Sequence, residues 1–311
     1  MSPDQHNHPF RLDRGVSAFF EKELEHIKTK TYDAKYKELK ALQLIPVSTE
    51  AGNAANEITF RRYTGVGFAK IIADYAKDFP RVDVYGEEQS ARVQSIGTSY
   101  GYSIQEIRAS QRAGKRLDQR RAEAARRASD EKINHMAFIS MPEIGTYGLL
   151  DYPGITEATA PADGTGSSKL WSTKTVDQII RDISLLTDAV ILPTYGREIP
   201  DTLLLPLSLY NLLGNTRLGD NETTLMKYIQ NNNPHIKRIE WLHELQTLGN
   251  GGSTRVLIGS FDENHVTLEL CQPFEQFDAE QKGMEFEVVC HSRCAGTIVY
   301  YPMGFAFMDG V

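Results

Sequence analysis

The sequence predicts an α+β fold, and three observations carry that prediction. One helical run, Ser103 to about Met141, covers roughly thirty-eight residues, or about 57 Å at 1.5 Å per residue. Ahead of it, residues 57–90 alternate with the period of strands. Behind it, helices and strands mix without a strict βαβ rhythm.

The long run starts with Ser103 and Glu106 at capping-box spacing, where each side chain can satisfy a free N–H of the first turn. From Ile104 there is no proline before Pro142, and Ala, Arg, Gln, Glu and Lys dominate. At about 100° per residue, Arg108, Arg112, Lys115, Arg116, Arg120, Arg126 and Arg127 fall within roughly 140°. The opposite arc holds Ile107, Ala113, Gly114, Leu117, Ala124, Ala125, Ala128, Met136 and Ile139, with Arg121 and Lys132 as exceptions. Such a rod braces something broad. Its basic arc reads either as a solvated face or as a face turned toward a polyanion.

In chain order, residues 1–12 read as disordered, and much of Val16 to Leu42 as a helical arm with a drifting apolar stripe. Pro46 to Asn56 is a linker by composition. Ile58–Tyr63 reads as a strand broken by Gly65-Val-Gly67, and Val82 and Val84 as a returning strand closed by Gly86. A lone hairpin is marginal in water, which points to pairing with another subunit. Ile96, Thr98, Tyr100 and Tyr102 alternate along a strand leading into the long helix. Residues 158–169 read as an exposed loop. Thr175–Ala189 reads as an amphipathic helix, Leu203–Leu205 as a buried strand, and Pro206 as the opening of a helix through Leu213. Asn221 is expected to cap a helix from Glu222 to Asn231. Strands are expected at Ile236–Trp241, Arg255–Ile258, His265–Leu270, Glu285–Val289, Gly296–Tyr301 and Phe305–Met308.

The 311 residues carry a formal charge of −7. Between Arg108 and Arg127 stand eight basic and two acidic residues, leaving 26 basic and 39 acidic side chains elsewhere. An acidic body therefore carries a basic rod. Three cysteines (Cys271, Cys290 and Cys294), with no secretory signal at the polar N-terminus, argue against a disulfide framework. No apolar run approaches the eighteen or so residues of a membrane span, so no membrane partner is expected.

Catalytic motifs are weak. Gly97-Thr-Ser-Tyr-Gly101 matches the nucleophile elbow, but the strand before it is half polar and the helix after it begins late; a serine hydrolase using Ser99 is the remote alternative. Cys290, His291 and Cys294 lack the second close pair of a zinc site, and a packed, reduced pair of thiols fits better. No catalytic set, metal site or cofactor is expected.

The order of parts resembles the HK97-type major capsid proteins of tailed bacteriophages and prophages. Tyr147-Gly-Leu-Leu-Asp-Tyr-Pro-Gly-Ile-Thr156 is similar to their segment after the spine helix. Leu203-Leu-Leu-Pro206 through Leu213 resembles their strand–helix step, and Arg293, Gly296 and Pro302-Met-Gly-Phe-Ala-Phe307 their closing strands. Ile45-Pro46, Glu57-Ile-Thr-Phe60, Ala69-Lys-Ile-Ile72 and Pro80-Arg-Val-Asp-Val84 resemble one branch of the group. The resemblance implies an arm (1–45), an extended loop with linking strands (46–98), the spine helix of a peripheral domain (99–146), and a mainly axial domain (147–311). It implies self-assembly into hexamers and pentamers of an icosahedral virion shell, built in a bacterial cytoplasm around double-stranded DNA. Portal, scaffolding and decoration proteins would be partners. The loop, through Ile58, Phe60, Val66, Phe68, Val82 and Val84, would lie across a neighbouring subunit. Lys70 and Lys77 lie in that loop, but no cross-link acceptor matches. An encapsulin-type compartment is the alternative shell.

Overall fold

The computed structural model describes residues 36–67, 69–71, 81–113, 120–219 and 223–311. From Leu39 onward these form one compact unit. Its middle layer is a mixed five-stranded sheet of Thr156–Ala158, Phe305–Asp309, Arg255–Gly259, Thr202–Pro206 and Arg238–Leu242, in that spatial order. Leu203-Leu-Leu205 shows why the centre of this sheet reads as an unbroken apolar run. Leu203 and Leu205 face a core shared with the helices Val176–Ile191, Leu207–Asn215 and Leu225–Asn232, while Leu204 faces the core under the spine.

The spine comprises Ile104–Ala113 and Arg120–Phe138; residues 114–119, where a single rod would be continuous, lie outside the described residues. The capping box is present: the Glu106 N–H donates to Ser103 Oγ at 3.1 Å, and the Ser103 N–H to Glu106 Oε2 at 3.0 Å. The helix ends at Phe138 rather than Met141. Its buried stripe is Ala125, Ser129, Ile133, Asn134, Met136, Ala137 and Phe138, so the expected inward Ala124 and Ala128 are exposed. Polar Ser129 and Asn134 turn in because they find partners. Ser129 bonds the Ser292 hydroxyl at 2.8 Å, while Asn134 accepts from the Ala41 N–H and donates to Glu244.

Under the spine runs an antiparallel pairing of Gln94–Ser103 with Glu285–Cys294, ten residues long without a slip. Cys290, Ser292 and Cys294 face the spine side and are fully buried. Glu285 and Glu287 fall on the opposite face, level with Lys282 and Glu280 of the edge strand Glu280–Lys282. Both signs occur on each surface: Arg126 and Arg127 stand beside Asp130 and Glu131 on the spine, and Lys282 pairs with Glu287 on the far face.

The segment 147–156 locks onto the end of the spine. The Leu149 and Leu150 N–H groups donate to the Ala137 and Phe138 carbonyls, and Asp151 accepts from both the N–H and hydroxyl of Ser140. A Cβ on Gly148 would lie 2.3 Å from the Ile139 nitrogen, so only glycine fits that approach.

Several boundaries move. The strands at Ile58 and Val82 run Glu57–Val66 and Asp83–Arg92, passing through Gly65 and Gly86; opposite Gly86, the Tyr63 ring occupies the space a Cβ would need. The helix assigned to an Asn221 cap is Leu225–Asn232, capped by the Thr224 hydroxyl. The 158–169 loop is partly inside: Ala160 and Gly164 are buried, and the Lys174 side chain, itself fully buried, reaches the Pro161 carbonyl and Asp182. Short strands at Val47–Ser48, Thr156–Ala158, Gln272–Gln276 and Glu280–Lys282 were not expected. Of the expected arm, residues 1–35 lie outside the described residues.

Candidate assembly interface

The hairpin is built by ten consecutive antiparallel pairs from Glu57↔Arg92 to Val66↔Asp83, and among the described residues its two strands pair with no other. Alternation sorts its side chains. Ile58, Phe60, Arg62 and Val66 share one face, as expected for period two.

The root half rests on its own chain. Ile58 and Phe60 pack against a cluster of Ala91, Val93, Cys271, Ala295 and Ile298. The Phe60 ring meets Tyr300 edge-on at 5.3 Å, and Arg62 donates to the Tyr300 carbonyl. Cross-strand pairs Arg61–Glu88 and Arg62–Glu87 brace it at 2.5 and 2.8 Å. Hence two of the six residues expected to contact another subunit, Ile58 and Phe60, are used within the chain. Their burial follows from the anchoring cluster, which nothing local in the sequence announces.

The distal half is different. Val66, Val82 and Val84 are 55%, 68% and 64% exposed, beside exposed Tyr63 and Tyr85. Phe68 and Lys77 lie outside the described residues; Lys70 is exposed. By the pairing, Val66 and Tyr85 lie on one face of the ribbon and Tyr63, Val82 and Val84 on the other, so both faces of the distal half carry exposed apolar side chains, a kind of surface that marks a contact site.

Between the hairpin root and the body lies a cleft of about 1220 Å³ whose lining includes Phe60, Arg62, Tyr147, Tyr195, Glu198 and Tyr301. At its edge His265 bridges two carboxylates, with Nε2 2.5 Å from Glu198 and Nδ1 against Asp262.

Along the spine, Arg108, Arg112, Arg120 and Arg126 are exposed. Arg127 pairs with Glu131 at 2.9 Å, and Arg126 stands 3.9 Å from Asp130. Lys115 and Arg116 lie outside the described residues. Arg121, off the arc as expected, stacks on Tyr102 and pairs with Glu106.

The other candidates resolve on geometry. Ser99 sits mid-strand opposite Val289, not on a strand-to-helix turn, so the elbow reading is corrected. All three cysteines are free and buried, and burial pushes the Cys294 thiol up to about 12. Among the described residues no group of three or more His, Cys, Asp and Glu is arranged to hold a metal ion, and no helix is long and apolar enough to cross a membrane.

The family model for the major capsid protein matches residues 67–311. The chain belongs to that family. No curated protein matches it. Among solved structures, this capsid protein is similar to the capsid of Myoviridae phage XM1, with TM-score 0.78 and 19% identity over 93% of this chain and 98% of that one. It is similar to the capsid of an empty GTA particle, with TM-score 0.66 and 9% identity over 96% and 99%. A virus-like particle from Pyrococcus furiosus gives TM-score 0.54 and 12% identity over 86% and 91%. At these identities the likeness is one of fold, the HK97-type α+β capsid fold. The capsid protein is a shell protein of a phage head, located in the virion capsid, and it assembles with copies of itself. The family match favours that role over an encapsulin-type compartment, and the family is one of shell proteins rather than enzymes.

Proposed function

We propose that this capsid protein builds its head from hexamers and pentamers, closed by repeated heterologous contacts, around double-stranded DNA. Residues 99–146 serve as the spine of a peripheral domain and most of 147–311 as the axial domain. The distal hairpin, through Val66, Val82 and Val84, lies across a neighbouring copy. Portal, scaffolding and decoration proteins complete the head, and assembly takes place in the bacterial host cytoplasm.

The observation that carries this reading is the exposed apolar side chains on both faces of the hairpin beyond its anchored root. Burying valines at a contact contributes on the order of 1.5–3 kcal/mol each, which is ample when repeated around a closed shell. Introducing Val82→Asp with Val84→Asp is therefore expected to leave a folded subunit, with wild-type circular dichroism, that forms no particles in negative-stain electron microscopy. Normal particles from that variant would refute the hairpin contact.

A further inference from the structure

We propose that Glu198 and His265 form a latch that pins the 192–198 loop to the 262–265 turn at the edge of the cleft, and that deprotonation opens it. This goes beyond shell formation and rests on the connections of that loop. After the helix Val176–Ile191, the backbone N–H groups of Leu192, Tyr195, Gly196 and Arg197 donate to carbonyls within residues 188–194. Thr194 Oγ1 donates to the Val190 and Ile191 carbonyls and accepts from the Glu198 N–H. Among the described residues, the hydrogen bond of 192–198 that leaves this local set runs between Glu198 and His265. The loop holds Leu192 and Tyr195 out to solvent, Tyr195 in the left-handed region at φ 53°. Glu198 ties this exposed turn to the 262–265 turn, next to the bond that the Ser260 hydroxyl donates to the Ile199 carbonyl.

The tie depends on charge. Both ring nitrogens of His265 face carboxylates, Asp262 on Nδ1 and Glu198 on Nε2. An imidazole carrying two N–H donors is the cation, so the doubly bridged state is the protonated one. The Tyr301 ring lies 5.7 Å away, and Gly304 abuts both Glu198 and His265. Glu263 flanks His265 in its own turn, Arg197 and Arg62 line the same cleft, and the Tyr300 N–H donates to the His265 carbonyl. Burial lowers the pKa of the imidazole, but the bonds to Asp262 and Glu198 outweigh it, and the group titrates above its ordinary value. The sign follows. The latch contributes fully below about 6.5, the ordinary histidine value, and is lost as pH rises through the raised folded value.

Amide exchange of the full chain from pH 6 to 9, corrected for intrinsic exchange, tests this. Protection at 192–198 is expected to fall by up to about tenfold per pH unit between about 6.5, the ordinary histidine value, and the raised folded value, and to level off above it, as one linked proton requires. In His265→Gln the protection is expected to be low throughout and the pH slope absent, with the strands 202–206 and 255–259 still protected. Should that variant unfold, Glu198→Gln is expected to flatten the profile in the same way. A wild-type profile that does not vary with pH, or a folded variant that keeps the wild-type slope, would overturn the latch.

Discussion

At the scale of single residues, burial decides which charges matter. Arg255 is almost fully buried. Its guanidinium holds Asp309 with two bonds, at 2.6 and 2.8 Å, donates to the Leu150 carbonyl, and lies 3.9 Å from the centre of the Phe307 ring. Asp309→Ala strands that cation inside the protein. The expected loss is about 3–5 kcal/mol, measured as a fall in urea midpoint with an unchanged slope. Arg61–Glu88 is as short a pair, yet both ends are in water, and deleting it is expected to leave the midpoint almost unmoved. Sequence gives no warning of this difference, since Asp309 pairs with an arginine 54 positions earlier. The reduced cysteines could be inferred, because their number and alternation constrain them. Ile58 and Phe60 could not be separated from Val66, because the cluster that anchors them comes largely from residues beyond position 270.

Among elements, the junction of the spine with residues 147–156 is the tightest. Gly148→Ala is expected to cost about 1–3 kcal/mol, the range for forcing extra volume into a packed site. A lowered melting temperature of the isolated subunit would report it, and an unchanged one would mean that the Ile139 backbone can give way. Elements with a strong local signature were legible. The Ser103–Glu106 box, the helix after Thr175 and the apolar run at Leu203 all stand close to where their residues put them. The cap of the helix Leu225–Asn232 was not, since Thr224 fills that role and the expected Asn221 lies outside the described residues. The spine stripe was misplaced by counting apolar residues alone, whereas Ser129 and Asn134 are buried by virtue of their hydrogen-bond partners. The ten-pair match of Gln94–Ser103 with Glu285–Cys294 joins segments about 190 positions apart, and no periodicity encodes which strand finds which.

For the molecule as a whole, the order of parts was readable before their packing was, and it led to the right family. Charge shows what remained open. The spine arginines and the Glu280, Glu285 and Glu287 carboxylates occupy opposite surfaces of one helix-on-sheet layer. If the arginine surface meets packaged DNA, Arg112→Glu with Arg126→Glu is expected to give particles of normal yield with a lowered ratio of absorbance at 260 to 280 nm, because fewer phosphates are neutralised. Loss of particles with no change in that ratio among the survivors would instead assign the arc to contacts between copies.

The hairpin also sets a condition on the life of each copy. Its far end holds Val66, Val82 and Val84 out to solvent, so under the proposed contact a newly made chain is complete only in company. Between synthesis and recruitment it carries exposed valines and tyrosines that any stranger can occupy. On that proposal the yield of heads depends on a race between finding kin and being fouled, and crowding by its own kind is what protects it.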